Sequence, residues 1–178
     1  QRKKRQLYVN SFYPILSHYG LFGSAYLNGC MYTDGLTDVI KTAGSTIGSN
    51  GAVANMYATN PSLITPDQNS LDIWTNAYYN IRLINEFLAG LQETVKTRLS
   101  AEARFFRGYL YFLLMRNHGS VIILKELTSN PIHARSTASE CWDYVESELS
   151  FAAQNLPKSW ESADAGRITQ GAAYAMLS

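Results

Sequence analysis

The residues best suited to hold a small polar ligand lie in one glycine-rich stretch, Gly20 to Pro66. It contains seven of the twelve glycines, many Ser, Thr and Asn residues, and no sustained hydrophobic period. Its polar side chains can pair with hydroxyl or peptide groups, and a tyrosine ring can stack on an apolar face. Loops this long are usually functional or mobile. The candidate ligand contacts are Asp38, Lys41, Asn50, Asn55 and Tyr57. The alternative is that this stretch only rests against a partner protein or against other loops.

Catalytic chemistry finds little support in the sequence. A glycosidase would need two carboxylates facing each other across a cleft, and Asp34 and Asp38 are the only acidic residues in the long stretch. The segment GSTIGSNG, Gly44 to Gly51, superficially matches a phosphate-binding loop but lacks the Lys-Ser/Thr that would hold phosphate and metal. No Ser-His-Asp, HExxH or CxxC arrangement is present. We therefore predict that the protein is not an enzyme and has no catalytic residue.

Metal, cofactor and nucleic-acid binding are not predicted either. Cys30 and Cys141 lack zinc-ligand spacing, and the three histidines are far apart. Arg2–Arg5 carry four of the fifteen basic residues, which leaves eleven against fourteen acidic residues and no basic stripe for phosphates. A membrane-spanning helix needs about eighteen consecutive apolar residues, and the sequence contains no such run.

Hydrophobic periodicity predicts a helical protein. The most apolar helix should run from residue 100 to 117, with Ser100 as its N-cap, Gly119 at its end, and Phe106 and Leu110 in the core. Ser139 is the expected cap of a later helix, on which Trp142 belongs to the apolar stripe. The predicted helices cover residues 6–19, 71–91, 100–117, 139–156 and 169–178.

The last four helices form two successive predicted hairpins, and the first helix of each carries a tryptophan, Trp74 or Trp142. A tetratricopeptide unit is a helix pair of about 34 residues, so the connection at 118–138 is a long excursion. The predicted fold class is all-α, with irregular tetratricopeptide-like helical hairpins and long decorating loops. We expect one domain over 1–178, with a loop region at 20–66 and a helical repeat region at 71–178. The last predicted helix stops while still apolar, so a longer chain is expected.

Four segments in this order resemble the SusD/RagB family of outer-membrane nutrient-binding lipoproteins of Bacteroidetes. They cover residues 71 to 178 and include Arg135 with Ser136 ahead of the third. The segments are WTNAYYNIRLINEFL, LSAEARFFRGYLYFLLMRNHG, ECWDYVESELSFAAQNLP and GRITQGAAYAML. Each is weak alone, but the order and spacing are specific.

The resemblance implies a surface-exposed lipoprotein of the cell outer membrane that binds an oligosaccharide or a peptide without catalysis. The expected partner is a SusC-like TonB-dependent transporter, which receives the captured nutrient. We expect contact with the membrane only through a lipid anchor outside the given residues, since Cys30 follows no leader. The family places ligand residues shortly after a Thr-Asp, yet Thr33-Asp34 is followed here by no aromatic residue.

The helical motif residues are interpreted as structural. Glu102, Arg104 and Arg107 should join the central helix to its neighbours through ion pairs, and one of the adjacent Tyr78 and Tyr79 should face inward. The competing hypothesis for function is a tetratricopeptide-type protein-interaction scaffold without small-ligand binding.

Overall fold

The computed structural model describes residues 2–18, 73–91, 96–130 and 132–178. The chain divides into two compact units, one formed by Gln1–Phe12 with Trp74–Ser178 and the other by Tyr13–Ile73. All regular secondary structure within the described ranges is helical, which confirms the predicted all-α class.

Most of the helices lie where the hydrophobic periods predict them. In chain order they are α1 (Arg2–Asn10), α2 (Pro14–His18), α3 (Trp74–Ala89), α4 (Lys96–His118), α5 (Ala138–Asn155), a short 3-10 helix (Ser162–Asp164) and α6 (Gln170–Leu177). The prediction of one helix over 6–19 is wrong, because a turn separates α1 from α2 directly before Pro14, which has no N–H to continue a helix.

Helix α4 forms the centre of the first unit. Phe106 and Leu110 are completely buried, as predicted, and Gly119 ends the helix in the left-handed region with φ of 69°. The predicted cap at Ser100 is wrong, because the helix starts four residues earlier, at Lys96, and Ser100 lies buried in its second turn. Leu99 is also buried, so this first turn is held by packing that the cap rule does not consider.

Helices α3 and α4 form the predicted antiparallel hairpin. The start of α3 meets the end of α4, where the Trp74 and His118 rings are 5.3 Å apart. At the opposite end, Phe12 lies between the hairpin partners, with its ring centroid 5.9 Å from Phe87 and 6.2 Å from Phe106. These aromatic contacts close both ends of the hairpin.

Helix α5 packs closely against the other side of α4. A Cβ added at Gly108 would lie 3.1 Å from the Cβ of Glu148, so only glycine allows this approach without a shift. The α5 N-cap is Thr137, whose side chain accepts from the Glu140 N–H while the Glu140 side chain accepts from the Thr137 N–H. The predicted cap at Ser139 is therefore wrong, because the reciprocal capping box fixes the start two residues earlier.

Helix α6 completes the layer on α5. The Gln170 side chain donates to the Ala153 carbonyl at 2.9 Å. Arg167, just before α6, pairs with the buried Glu102 of α4 at 2.6 Å and with Asn10 of α1 at 2.6 Å. This confirms the predicted bridging role of Glu102.

Trp142 does not join the core as its place in the period suggests. Its side chain is 44% exposed, and its ring lies 6.1 Å from that of Phe112. The buried stripe of α5 passes through the neighbouring residues Cys141, Tyr144 and Val145 instead, which leaves Trp142 at the edge of the interface.

We expect Phe106→Ala to lower the free energy of unfolding by about 3–5 kcal/mol, because it leaves a cavity in the centre of the helical layer. Glu146→Ala, on the exposed face of α5, should change it by less than about 0.5 kcal/mol. Chemical denaturation of both variants tests the assignment, and equal losses would contradict it.

Candidate functional site

The ligand contacts predicted from the sequence lie outside the described residues. This holds for Asp38, Lys41, Asn50, Asn55 and Tyr57, and also for Thr33 and Asp34. They remain predictions. The described residues contain a different site, a cleft between α5 and the connection that follows α4.

A cluster of buried charged side chains joins α5 to α4. Glu148 of α5 accepts from Arg107 at 2.7 Å and contacts Arg104 at 2.8 Å, and its side chain is only 1% exposed. Burial alone would lower the pKa of Arg107, but the hydrogen bond and charge of Glu148 outweigh burial and raise it. Arg107 also donates to the Asn85 side chain of α3 at 2.6 Å. The predicted ion-pair roles of Arg104 and Arg107 are thus confirmed.

The connection after α4 is held to the helices by side chains rather than by a neighbouring strand. The Tyr78 hydroxyl bonds to both the C=O and the N–H of Ile122, at 2.7 and 3.0 Å. The Tyr111 hydroxyl accepts from the Leu124 N–H at 2.7 Å, and the Asn85 side chain donates to the Leu124 C=O at 2.9 Å. Ile122 and Leu124, which are two residues apart, therefore direct their peptide groups toward the helices.

Both tyrosines stay protonated in this role. Burial raises the pKa of Tyr78 to about 12, although its hydrogen bond with Ile122 acts in the opposite direction. Burial also raises the pKa of Tyr111 far above its usual value. The pattern confirms that Tyr78 faces inward, and its neighbour Tyr79 is 61% exposed.

The cleft, with a volume of about 580 Å³, opens between this connection and the first half of α5. This size is typical of a pocket for a small ligand or a short peptide. Three carboxylates line it, those of Glu126, Glu140 and Asp143, against the single ammonium of Lys125. His133 also lines it, and its Nε2 bonds with the Asn130 carbonyl at 2.7 Å. The surface of the cleft is therefore mainly acidic.

Tyr144 lines the cleft, and its hydroxyl is buried. The residue is 8% exposed, and its buried hydroxyl makes no hydrogen bond within the described protein. The Lys125 ammonium lies 5.6 Å above its ring, and the Tyr111 ring meets it edge-on at 5.2 Å. Burial, followed by the nearby charge of Glu148, raises the pKa of Tyr144, so this hydroxyl is protonated at neutral pH.

This cleft was not predicted from the sequence. Spacings of three and four residues place Glu140, Asp143, Tyr144 and Ser147 on one face of a helix, and this signal was available. The path of the connection cannot be predicted from its local sequence, because residues of α3 and α4 that are distant in sequence fix it.

The described residues contain neither a metal site nor a membrane span. Among them, no group of three or more His, Cys, Asp or Glu side chains is arranged to hold a metal ion. None of the described helices is long and apolar enough to cross a membrane.

Comparison with known proteins identifies the family. Residues 19–178 match a SusD-like family described as starch-binding and associating with the outer membrane. The chain belongs to the SusD-like family. This family consists of binding proteins rather than enzymes, and it is associated with the outer membrane.

Individual relatives agree with this SusD-like assignment. A SusD-like protein of Bacteroides ovatus is 28% identical over 122 residues, which cover 62% of this chain and 22% of that protein. The crystal structure of a SusD-like protein from Bacteroides fragilis is 27% identical, with a TM-score of 0.78, and the match covers 99% of this chain and 34% of that one. The chain thus spans about a third or less of the length of these relatives.

More distant solved structures share the fold alone. A laminarin binding SusD-like protein is 22% identical with a TM-score of 0.71, and the match covers 98% of this chain and 38% of that one. A crystal structure with xylogluco-oligosaccharide is 20% identical with a TM-score of 0.66, and the match covers 95% of this chain and 33% of that one. Both support the tetratricopeptide-like helical architecture.

We expect Glu148→Gln to lower the free energy of unfolding by about 3–5 kcal/mol, because it leaves the buried Arg107 without its counter-charge. The matched control is Glu86→Gln, which breaks the exposed pair with Arg82 on α3 and should cost about 0.3–0.5 kcal/mol. Urea denaturation measures both losses. Similar small losses would show that the buried cluster is dispensable.

The capping box predicts a pH effect. The Thr137 N–H, and then its hydroxyl, lower the pKa of Glu140 below its usual value. Because the unfolded-state value is about 4.3, this stabilisation is complete above that pH and is lost as the pH falls through the lower folded-state pKa. An NMR titration should show the pKa of Glu140 rising in Thr137→Ala but not in Ser139→Ala. The same pKa in all three proteins would refute the contribution of the Thr137 hydroxyl.

Proposed function

We propose that this SusD-like chain is part of a cell-surface protein that captures an oligosaccharide and passes it to a TonB-dependent outer-membrane transporter of the SusC type. The match of residues 19–178 to a starch-binding, outer-membrane family carries the proposal. The fold supports it, because fold neighbours include a laminarin binding protein and a structure with xylogluco-oligosaccharide. A peptide is the alternative nutrient. The protein would be held at the outer-membrane surface by a lipid anchor.

The helices provide the scaffold in this proposal. Their large side chains are mostly used for packing, as Phe106 and Tyr111 show. The stretch from Gly20 to Pro66 would supply the ligand contacts, through the polar groups of Asp38, Lys41, Asn50 and Asn55 and the ring of Tyr57. A sugar suits these groups, since it offers hydroxyls for hydrogen bonds and an apolar ring face for stacking.

We expect the double variant Asn55→Ala, Tyr57→Ala to bind oligosaccharide about tenfold more weakly, which corresponds to about 1.4 kcal/mol. Calorimetry with oligosaccharides of starch, laminarin and xyloglucan measures this loss. Tyr79→Ala is the matched control, because Tyr79 is an exposed tyrosine on α3 outside the predicted contacts.

The possible results test the proposed ligand class and the proposed contact residues separately. If no oligosaccharide binds the unaltered chain, the proposed ligand class is wrong for this chain. If one binds and the folded double variant keeps full affinity, Asn55 and Tyr57 are not contacts, and the loop region would have the partner-docking role instead.

A further inference from the structure

The connection after α4 carries a short unpaired backbone edge on the side that faces the cleft. In an extended chain, successive residues direct their peptide groups to opposite sides. Ile122 and Leu124 direct theirs toward Tyr78, Tyr111 and Asn85. Ile123, between them, therefore presents its N–H and C=O on the other side, and Ile123 lines the cleft.

One backbone hydrogen bond already reaches this side of the connection. The Ser136 N–H donates to the Val121 C=O at 2.9 Å, and Ser136 also lines the cleft. Two residues further along, the N–H and C=O of Ile123 have no hydrogen-bond partner among the residues that the structure describes. The Lys125 C=O accepts from Arg107 of α4 at 2.9 Å, so the alternation ends before Lys125 and the unpaired edge is limited to Ile123. An unpaired edge of this kind is a template for another extended segment.

The charge of the cleft and the burial of its tyrosine ring indicate which class of ligand fits it. Its three carboxylates favour a cationic ligand, and Glu126 and Asp143 are both exposed at its surface. A sugar would need a free aromatic face, but the ring of Tyr144 is buried between Lys125 and Tyr111. The Tyr144 hydroxyl has no hydrogen-bond partner among the described residues, and its oxygen can accept a hydrogen bond that an arginine side chain donates.

We propose that this cleft binds an extended basic peptide segment of a partner protein, which pairs with the backbone of Ile123 while its arginine or lysine side chains meet Glu126, Asp143 and Tyr144. This site goes beyond the proposed capture of oligosaccharide and uses different residues. Main-chain hydrogen bonds give such binding its affinity, and side-chain pockets give it specificity.

Fluorescence anisotropy with a labelled peptide of alternating arginine and valine tests the proposal on the whole chain. The peptide should bind, and binding should weaken as salt is added, because the carboxylates at the surface are screened. Two control peptides carry glutamate in place of arginine or N-methyl groups on the backbone. Both should bind at least about tenfold more weakly, since one reverses the charge and the other removes the edge hydrogen bonds.

Variants of the chain locate the site. Ile123→Pro removes an N–H that has no partner in the free chain, so it should weaken peptide binding about tenfold while the fold remains. The double variant Glu126→Gln, Asp143→Asn should weaken it about fivefold, as for two exposed ion pairs. Glu146→Gln, on α5 but outside the cleft, should leave binding unchanged. Tyr144→Phe should weaken binding about threefold without lowering the melting temperature, because it removes only an unsatisfied hydroxyl.

Several results would overturn the proposal. One is equal binding of the arginine, glutamate and N-methylated peptides to the unaltered chain, a comparison that does not depend on Ile123→Pro folding. Another is unchanged affinity in the folded Ile123→Pro chain. If starch-derived oligosaccharides shift the Ile123 amide signal in NMR spectra and the basic peptide does not, the cleft is a sugar subsite instead. Loss of oligosaccharide binding in Asn55→Ala, Tyr57→Ala would leave the peptide result unaffected, so the two proposals fail separately.

Discussion

The carboxylate of Glu148 joins α5 to α4 and, through Arg107, to α3 and the connection after α4. It lies between the guanidinium groups of Arg104 and Arg107, and Arg107 continues the network to Asn85 of α3 and to the Lys125 carbonyl. Burying these charges is costly unless every partner is in place. The cluster therefore favours one relative position of α3, α4, α5 and the connection after α4. Gly108 is part of the same constraint, because α5 could not bring Glu148 so close to a larger residue.

Much of the fold follows from local sequence patterns. Periods of three and four residues find the helices, and Gly119 ends α4 because a left-handed residue is needed there. The failures occur where tertiary contacts override these patterns. Lys96 starts α4 because the buried Leu99 extends the packed surface backward. Trp142 lies at the edge of the apolar stripe of α5. Hydrophobic periodicity alone cannot show whether a residue at such an edge is buried or exposed.

The functional assignment from sequence depends on resemblance more than on physics. Four motif segments lead to the SusD-like family, and the match of residues 19–178 confirms it. The cleft was not predicted, for a physical reason. Its wall at Ile123 is positioned by Tyr78 and Tyr111, which precede it by 45 and 12 residues in the numbering. Hydrogen bonds between distant side chains and a non-helical backbone leave no periodic trace.

The way in which this connection is held has a consequence for how such a protein can diversify. Its path is fixed mainly by backbone atoms of Ile122 and Leu124 and by side chains on the helices. The identities of the side chains on the connection itself contribute none of these bonds. Substitutions of its exposed residues, such as Lys125 and Glu126, would therefore change the chemistry of the cleft while the backbone keeps its course. In evolutionary terms, the helices act as a fixed frame, and the cleft can acquire new specificities without a new fold.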